Sequence, residues 1–437
     1  MRRFFFSAHG WPYLLVPFIP IAIVLELIHA GAVPLFLTSA LGVIPTAALM
    51  GRATEELAAR SGPGIGGLLN VTFGNAPELI IALFALNAGL HEVVKASIIG
   101  SILGNILLVL GAAMLVGGLG RDRQTFDRTA ATAQSSMLLL AIAAMMMPAI
   151  FELVEGRGLP APDGERINYD STVEHLSVAV AVVLMLSYVA GLIFSLKTHR
   201  DLFNPVPPGQ AILVGGPASA HGAKPRSAST AASSTPAAPA VAGTPAVPAV
   251  AGTPAKAEDA DVDAKKASEA GGDEEGHGEP WTVRKAVGAL ALAGVAVGGM
   301  SEILVGSISE AAESIGLSEF FVGIIVVAIV GNAAEHWVAV LVAKKNQMDL
   351  AVNISIGSSA QIALFVAPVL VLTSFFLGPH PMALVFNGFE LGAIFLAVLI
   401  AGHVTNEGES TWYEGVQLLA VYLVLALSFY FAGVGTG

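Results

Sequence analysis

Apolar runs of about 20 residues, the length that crosses a bilayer as a helix, recur eleven times along this chain. They run approximately over Tyr13 to His29, Pro34 to Met50, Gly66 to Leu86, Val93 to Val116, Thr129 to Phe151, Val173 to Leu196, Val283 to Val305, Phe320 to Val342, Leu350 to Leu372, Met382 to Ala401 and Gly415 to Phe431. The pattern predicts an all-α polytopic membrane protein with about eleven transmembrane helices. The first run follows MRRFFF, a basic start like that of a secretory signal. It is too long for the apolar core of one, so residues 1–30 read as a leading membrane helix.

The polar loops between the runs carry an orientation. With Arg2 and Arg3 inside, the pairs and clusters Arg52 and Arg60, Arg121, Arg123 and Arg128, Lys197 and Arg200, and Lys344 and Lys345 all fall inside as well. That distribution obeys the positive-inside rule. The loops from Glu152 to Glu174 and from Ser307 to Glu319 then face out, as does the C-terminus.

The periodicity fails between Phe203 and Pro280. There the chain turns to Ala, Pro, Gly and Ser, with AVAGTPA written twice, at Ala240 to Ala246 and Ala249 to Ala255. Such a segment has too few apolar side chains to bury a core and is expected to be disordered. Its second half, from Glu258 to Glu279, is dense in acid and holds much of the formal charge of −12. A solvated inner spacer is the simplest reading of that run, and attraction of cations to the inner surface is the alternative. The sequence therefore divides into 1–30, a first five-run unit at 31–200, a linker at 201–280 and a second five-run unit at 281–437. Composition agrees with a membrane body, being 54% hydrophobic and 12% charged, against about 25% charged for a soluble domain. Cysteine is absent, which removes disulfides, thiolate metal sites and cysteine nucleophiles. The acidic balance and the lack of a basic patch give no nucleic-acid footprint.

The two units are copies. Residues 74–101 laid on 331–358 at a constant offset bring Gly74, Asn75, Ala76 and Glu78 onto Gly331, Asn332, Ala333 and Glu335. They also bring Ala82 onto Ala339, and Ile99, Gly100 and Ser101 onto Ile356, Gly357 and Ser358. Thr54-Glu55-Glu56-Leu57 resembles Ser301-Glu302-Ile303-Leu304 at a slightly different offset. Five runs per copy is an odd number, so the copies insert with opposite orientation, and inverted repeats put their substrate site near the bilayer midplane between the halves.

The duplicated motif carries the candidate chemistry. A carboxylate inside a membrane segment costs at least ~2.5 kcal/mol on insertion scales and is retained for a partner or a function. Glu78 and Glu335 are two such groups at equivalent positions. Asn75 lies three residues before Glu78, and Asn332 three before Glu335, so each pair shares a helix face. Carboxylates, amide oxygens and nearby hydroxyls such as Ser101 and Ser358 form the oxygen-rich set that calcium accepts. Two carboxylates sharing a poorly hydrated site also take up protons when the cation leaves, so competition for the same oxygens would couple the two ions. Pro77 would loosen the first helix beside Glu78, whereas Ala334 in the second copy leaves any opening to Gly331 and packing. Ser97, Ser101 and Asn105, and likewise Ser358 and Gln361, extend a polar seam, for which hydrogen bonds between packed helices are the plain alternative. His336 has no counterpart in the first copy, where Leu79 stands; it is a proton-linked candidate or a bundle histidine. Glu55, Glu56 and Glu302 near membrane ends are access-path acids or interfacial charges. Gln134 and Glu390 are further polar candidates, and Glu26 has no assigned role.

GNAPELIIALFAL, VVKASIIGSILGNILLVLG, GNAAEHWVAVLVAKKNQMDLAV and ISIGSSAQIALFVAP resemble signature stretches of the calcium/proton exchanger family of the calcium/cation antiporter superfamily. The resemblance covers nearly the whole chain outside the linker. It implies one leading helix, two inverted five-helix repeats, an acidic segment between them, and export of cytosolic Ca²⁺ against inward H⁺ by alternating access. By position it makes Glu78 and Glu335 the ion-binding and proton-exchanging pair, surrounded by Asn75, Asn332, Ser101 and Ser358, with His336 proton-linked. Glu55 and Glu302 fall on the access path. It implies no cofactor beyond the transported ions, and the bilayer as the only other partner. Pro77 and the long Ala/Pro-rich linker depart from the family pattern without removing a ligand. A sodium- or manganese-linked exchanger of the same fold is the alternative, although the histidine after the second motif argues against sodium. An intramembrane metalloenzyme is disfavoured, because the chain has no H-E-x-x-H and no histidine cluster. A bacterial inner membrane, with N-terminus and linker cytosolic, is the expected location.

Overall fold

The computed structural model describes residues 10–61, 66, 68–69, 72–162, 170–195 and 281–434. The predicted linker lies outside the described residues. After a short turn at Trp11–Leu15, the described residues form eleven helices. They are α1 (Phe18–Leu27), α2 (Ala32–Arg60), α3 (Ala76–Asn87), α4 (His91–Gly118), α5 (Arg128–Val154), α6 (Ser171–Ile193), α7 (Val283–Ile315), α8 (Glu319–Lys344), α9 (Met348–Thr373), α10 (Gly388–Thr405) and α11 (Trp412–Val434). Nine of them are long and apolar enough to cross a membrane, and the Trp11–Leu27 and Ala76–Asn87 helices are shorter apolar ones.

One leading helix and two inverted five-helix repeats account for this order. Helices α2 to α6 correspond in order to α7 to α11, and the packing follows the same pseudo-twofold. The first helices of the repeats, α2 and α7, lie along each other, and the fourth helices α5 and α10 also meet. The fifth helix of each repeat packs on the third of the other, α6 on α9 and α11 on α4. Helix α4 is walled in by protein, with Ile99, Ile102, Leu103, Ile106, Leu107, Leu110 and Met114 all fully buried. Helices α6 and α11 instead expose Val183, Leu186, Leu423, Val424 and Phe431, as helices facing acyl chains do.

The duplicated α4 and α9 share a local irregularity. Each widens into a π-helical turn, Gly104–Val109 in α4 and Ile362–Val366 in α9, at matching positions of the repeat. Such turns free backbone groups and concentrate at functional sites. Where α4 crosses α8 the backbones touch: a Cβ added to Gly100 would stand 2.0 Å from the Ile324 carbonyl oxygen.

Several sequence-based boundaries are corrected. Helices α2 and α7 continue well past the apolar run, to Arg60 and Ile315, so most of the predicted outer loop from Ser307 to Glu319 is helix. The predicted helix from Met382 begins only at Gly388. Residues 382–387 are buried but not helical. Side chains from elsewhere satisfy their backbone: Ser374 accepts from Met382 N at 2.8 Å, Ser177 from Leu384 N at 3.0 Å, and Lys95 Nζ donates to the Val385 carbonyl at 3.1 Å. Asn387 and Glu390 then close a reciprocal capping box on α10, which gives Glu390 a structural task.

Candidate functional site

The two copies of G-N-A-x-E fold differently. In the first, Gly74 and Asn75 form a turn and α3 starts at Ala76, with Pro77 in its opening positions. Proline is favoured there because its missing N–H would have had no partner. Glu78 consequently lies in the first turn, near the positive end of the helix dipole. In the second copy, α8 runs unbroken through Gly331 to Glu335. The opening anticipated at Gly331 is absent, and the π-helical turn of α8 lies upstream at Val322–Val327.

Cross-repeat hydrogen bonds tie the motifs together with the symmetry of the duplication. Ser358 Oγ donates to Asn75 Oδ1 at 2.8 Å, and the equivalent pair is joined by Asn332 Nδ2 donating to Ser101 Oγ at 3.1 Å. Asn75 Nδ2 also donates to Gln361 Oε1 at 2.8 Å, and Asn332 Nδ2 to the Ala328 carbonyl at 2.9 Å. Ser358 Oγ lies 3.4 Å from Glu335 Oε2, a long hydrogen bond. A Cβ on Gly331 would reach the Glu78 carboxyl arm, 3.5 Å from Cγ and 3.7 Å from Oε1, so the missing side chain lets α8 approach that carboxylate. Glu78 Oε2 and Asn332 Oδ1 are buried oxygens with no hydrogen-bond partner among the described residues.

A cavity of about 460 Å³ opens onto this cluster, with Asn75, Glu78, Glu335, Ser358 and Gln361 in its wall. Towards its mouth the wall passes Thr54, Glu55, Arg52 and Tyr13, and Glu55 is exposed there. Arg52 is held over the Trp281 ring at 5.0 Å, next to the start of α7.

The predicted residues separate into three groups. Glu78, Glu335, Asn75 and Ser358 line the cavity, and Glu55 lies along its approach. Asn332 and Ser101 are buried behind the wall. His336 also stands outside the cavity wall, its Nε2 3.1 Å from Asn105 Oδ1. Glu302 is not part of this cavity. It is exposed, 19 residues beyond Val283 and therefore about 28 Å along α7 from the end that meets Arg52. The cavity thus reaches the Glu55 approach and does not reach Glu302. Ser97 drops out of the polar seam, because its hydroxyl bonds back to the Val94 carbonyl at 2.8 Å. Gln134, named from the sequence as a polar candidate without a role, and Asn353, which the sequence did not single out, also line the cavity and share a 2.6 Å hydrogen bond. Only the polar type of Gln134 in an apolar run signalled it.

Comparison with known proteins follows the same division of the chain. The sodium/calcium exchanger protein family model matches residues 31–197 and 285–431, the two repeats without the linker. A protein of Aphanothece halophytica described as a Ca(2+)/H(+) antiporter is 40% identical over 420 residues, covering 95% of each chain. The Ca(2+)/H(+) antiporter ChaA of Bacillus subtilis is 37% identical over 431 residues, covering 98% of this chain and 99% of the relative. Among solved structures, that of native YfkE superposes with a TM-score of 0.69 at 34% identity, covering 96% of this chain and 99% of the other. On the match of both repeats and on relatives of this identity and coverage, the chain belongs to the sodium/calcium exchanger protein family and is a multi-pass membrane transporter.

Proposed function

We propose that this protein exchanges cytosolic Ca²⁺ for H⁺ by alternating access; the names of its relatives describe them as Ca(2+)/H(+) antiporters. One observation supports this most: two repeat-equivalent carboxylates, Glu78 and Glu335, face one cavity that is open along the Glu55 approach. Calcium takes six to eight oxygen ligands and accepts carboxylates, amides, hydroxyls and water together. Glu78 and Glu335 supply the charged oxygens. Ser358 and Asn75 offer neutral ones in the same wall, and Ser101 and Asn332 are the equivalent pair, brought forward when the second access path opens. The access path changes from Glu55 to Glu302 as α2 and α7 move against the ion-binding helices. In this scheme residues 1–30 are the leading helix, 31–200 and 281–437 the repeats, and 201–280 the cytosolic linker.

Coupling rests on charge. An ionised pair with neither cation nor protons is strongly penalised inside the membrane body, so the pair passes the barrier only when Ca²⁺ or protons neutralise it. Competition for the same oxygens then makes one ion leave as the other binds. His336, next to Glu335 in the chain and 3.1 Å from Asn105 Oδ1 through its Nε2, is the proton-linked residue of this scheme. Arg52, Arg60, Arg121, Arg123, Arg128, Lys344 and Lys345 support assignment of the open mouth to the cytosol, and with it a bacterial inner membrane.

The test is a reconstituted flux. In proteoliposomes without sodium, an imposed proton gradient should drive uptake of radioactive calcium, and dissipating the gradient should stop it. Strict dependence on sodium would overturn proton coupling, and preferential uptake of manganese over calcium would overturn the substrate.

A further inference from the structure

One polar pair on the cavity wall lies outside the duplicated motif. Gln134 is on α5 of the first repeat and Asn353 on α9 of the second, and Gln134 Nε2 donates to Asn353 Oδ1 at 2.6 Å. Gln134 is 7% exposed, and its Oε1 is buried with no hydrogen-bond partner among the described residues. Buried amide oxygens are nearly always satisfied, so an orphan on the wall of a transport cavity asks what arrives to use it.

The surroundings are built for the pair. Asn353 opens a π-helical turn, Asn353–Gly357. A Cβ on Gly357 would stand 3.1 Å from Asn353 Oδ1, tight enough to press on that amide, and in ordinary contact with Gln134 Nε2 at 3.8 Å. Within the aligned stretch the first copy has no counterpart of Asn353, since the same offset brings Ala96 onto it. On α9 the cavity wall runs through Leu350, Asn353, Gly357 and Ser358. Asn353 is thus five residues, about 7 Å of helix, nearer the N-terminal end of α9 than Ser358. The positive-inside distribution puts Lys344 and Lys345, just before α9, on the same side as Arg52 at the mouth, so a cation entering along this wall meets the amides before the carboxylates.

We propose that Gln134, held in place by Asn353, is a second cation-coordinating subsite between the mouth and the Glu78–Glu335 pair. The inference rests on the cation-antiport reading above. Its ligand is a divalent cation that prefers oxygen, for which an amide carbonyl replaces part of the hydration shell. Because the subsite carries no charge, it neither traps the ion nor competes for protons. It selects and strips the cation, and the carboxylate pair couples it.

Q134L and Q134E, reconstituted beside the parent chain, test this through initial rates of proton-driven calcium uptake across calcium concentrations at two pH values. Q134L should raise KM for calcium roughly tenfold, as expected for one lost ligand, with Vmax within about twofold of the parent. The factor should be the same at both pH values, because an amide does not titrate. Q134E, which keeps an oxygen at the position, should hold KM at or below the parent value. An unchanged KM in Q134L overturns the proposal, and so does a fall in Vmax alone, which would mean that Gln134 only packs α5 against α9. Should Q134L not accumulate, N353A frees Gln134 and should raise KM likewise; an unchanged KM there overturns the proposal equally. A parent chain without proton-driven calcium flux would overturn the antiport reading and this one with it, whereas an active parent beside an unaltered Q134L overturns the subsite alone.

Discussion

Replacing Gly100 by alanine should damage both stability and transport through one contact. The added Cβ would stand 2.0 Å from the Ile324 carbonyl oxygen, 2.6 Å from its carbonyl carbon and 2.8 Å from its Cα. All three are backbone atoms, so no rotamer change relieves the clash. Ordinary contact begins near 3.4 Å, which requires α4 and α8 to part by about 1.4 Å. Overpacking of this kind costs typically about 1–3 kcal/mol. The functional consequence follows from the next residue, because Ser101 accepts from Asn332 at 3.1 Å, and the same displacement carries that pair out of hydrogen-bond range. Purified G100A in detergent should melt several degrees below the parent, and reconstituted G100A should transport calcium with a raised KM. G299A is the control: a Cβ there meets nothing within 4 Å, and Gly→Ala inside a helix is neutral or stabilising by up to about 1 kcal/mol. G100A that melts with the parent and transports at its KM would refute the close approach of α4 to α8 and the dependence of the Asn332–Ser101 bond on it.

Three further outcomes are expected. A double-mutant cycle of N75A and S358A, read by thermal unfolding, should give a coupling of about 0.6–1.7 kcal/mol, the range found for hydrogen bonds between membrane helices; additive losses would mean that the 2.8 Å bond is not made. D127A should cost about 0.5–2 kcal/mol, because Asp127 caps α5 by accepting from Ala130 N at 2.8 Å, and an unaltered melting temperature would contradict that cap. At the start of α6, the Thr172 backbone N–H holds the Asp170 carboxyl below its usual pKa. A depressed carboxyl stabilises the fold above its unfolded-state pKa and loses that contribution as pH falls through its folded value. D170N should therefore lose less stability than the parent below the ordinary carboxylate range, and identical acid melting curves would count against the cap.

Much of this architecture was legible because duplication and hydropathy are local properties of sequence. Glu78 and Glu335 stood out as repeated charges in apolar runs, and eleven runs became eleven helices. Hydropathy failed where apolar character and helix part company. MALVF at 382–386 is as apolar as any span, yet it is not helical, because Ser177, Ser374 and Lys95 from distant parts of the chain satisfy its backbone. The reverse error shortened α2 and α7, whose last turns are polar and continue beyond the apolar run. The difference between the two motif copies was partly readable, since Pro77 announced a break, but the continuity of α8 depends on its packing against α4 and α3. The reciprocal pairs Asn75–Ser358 and Asn332–Ser101 join residues 283 and 231 positions apart. Offset alignment matched Asn75 with Asn332 and Ser101 with Ser358 but could not show that each asparagine bonds the serine of the other repeat.

In the proposed mechanism, Glu78 and Glu335 act as one cation- and proton-exchanging pair. Its most direct test reconstitutes E78Q and E335Q, each verified as folded by its elution and melting behaviour, and measures proton-driven radioactive calcium uptake with internal pH followed in the same vesicles. Both substitutions should abolish calcium uptake and the proton flux that accompanies it. Calcium exchange at the parental rate in either variant would contradict the account.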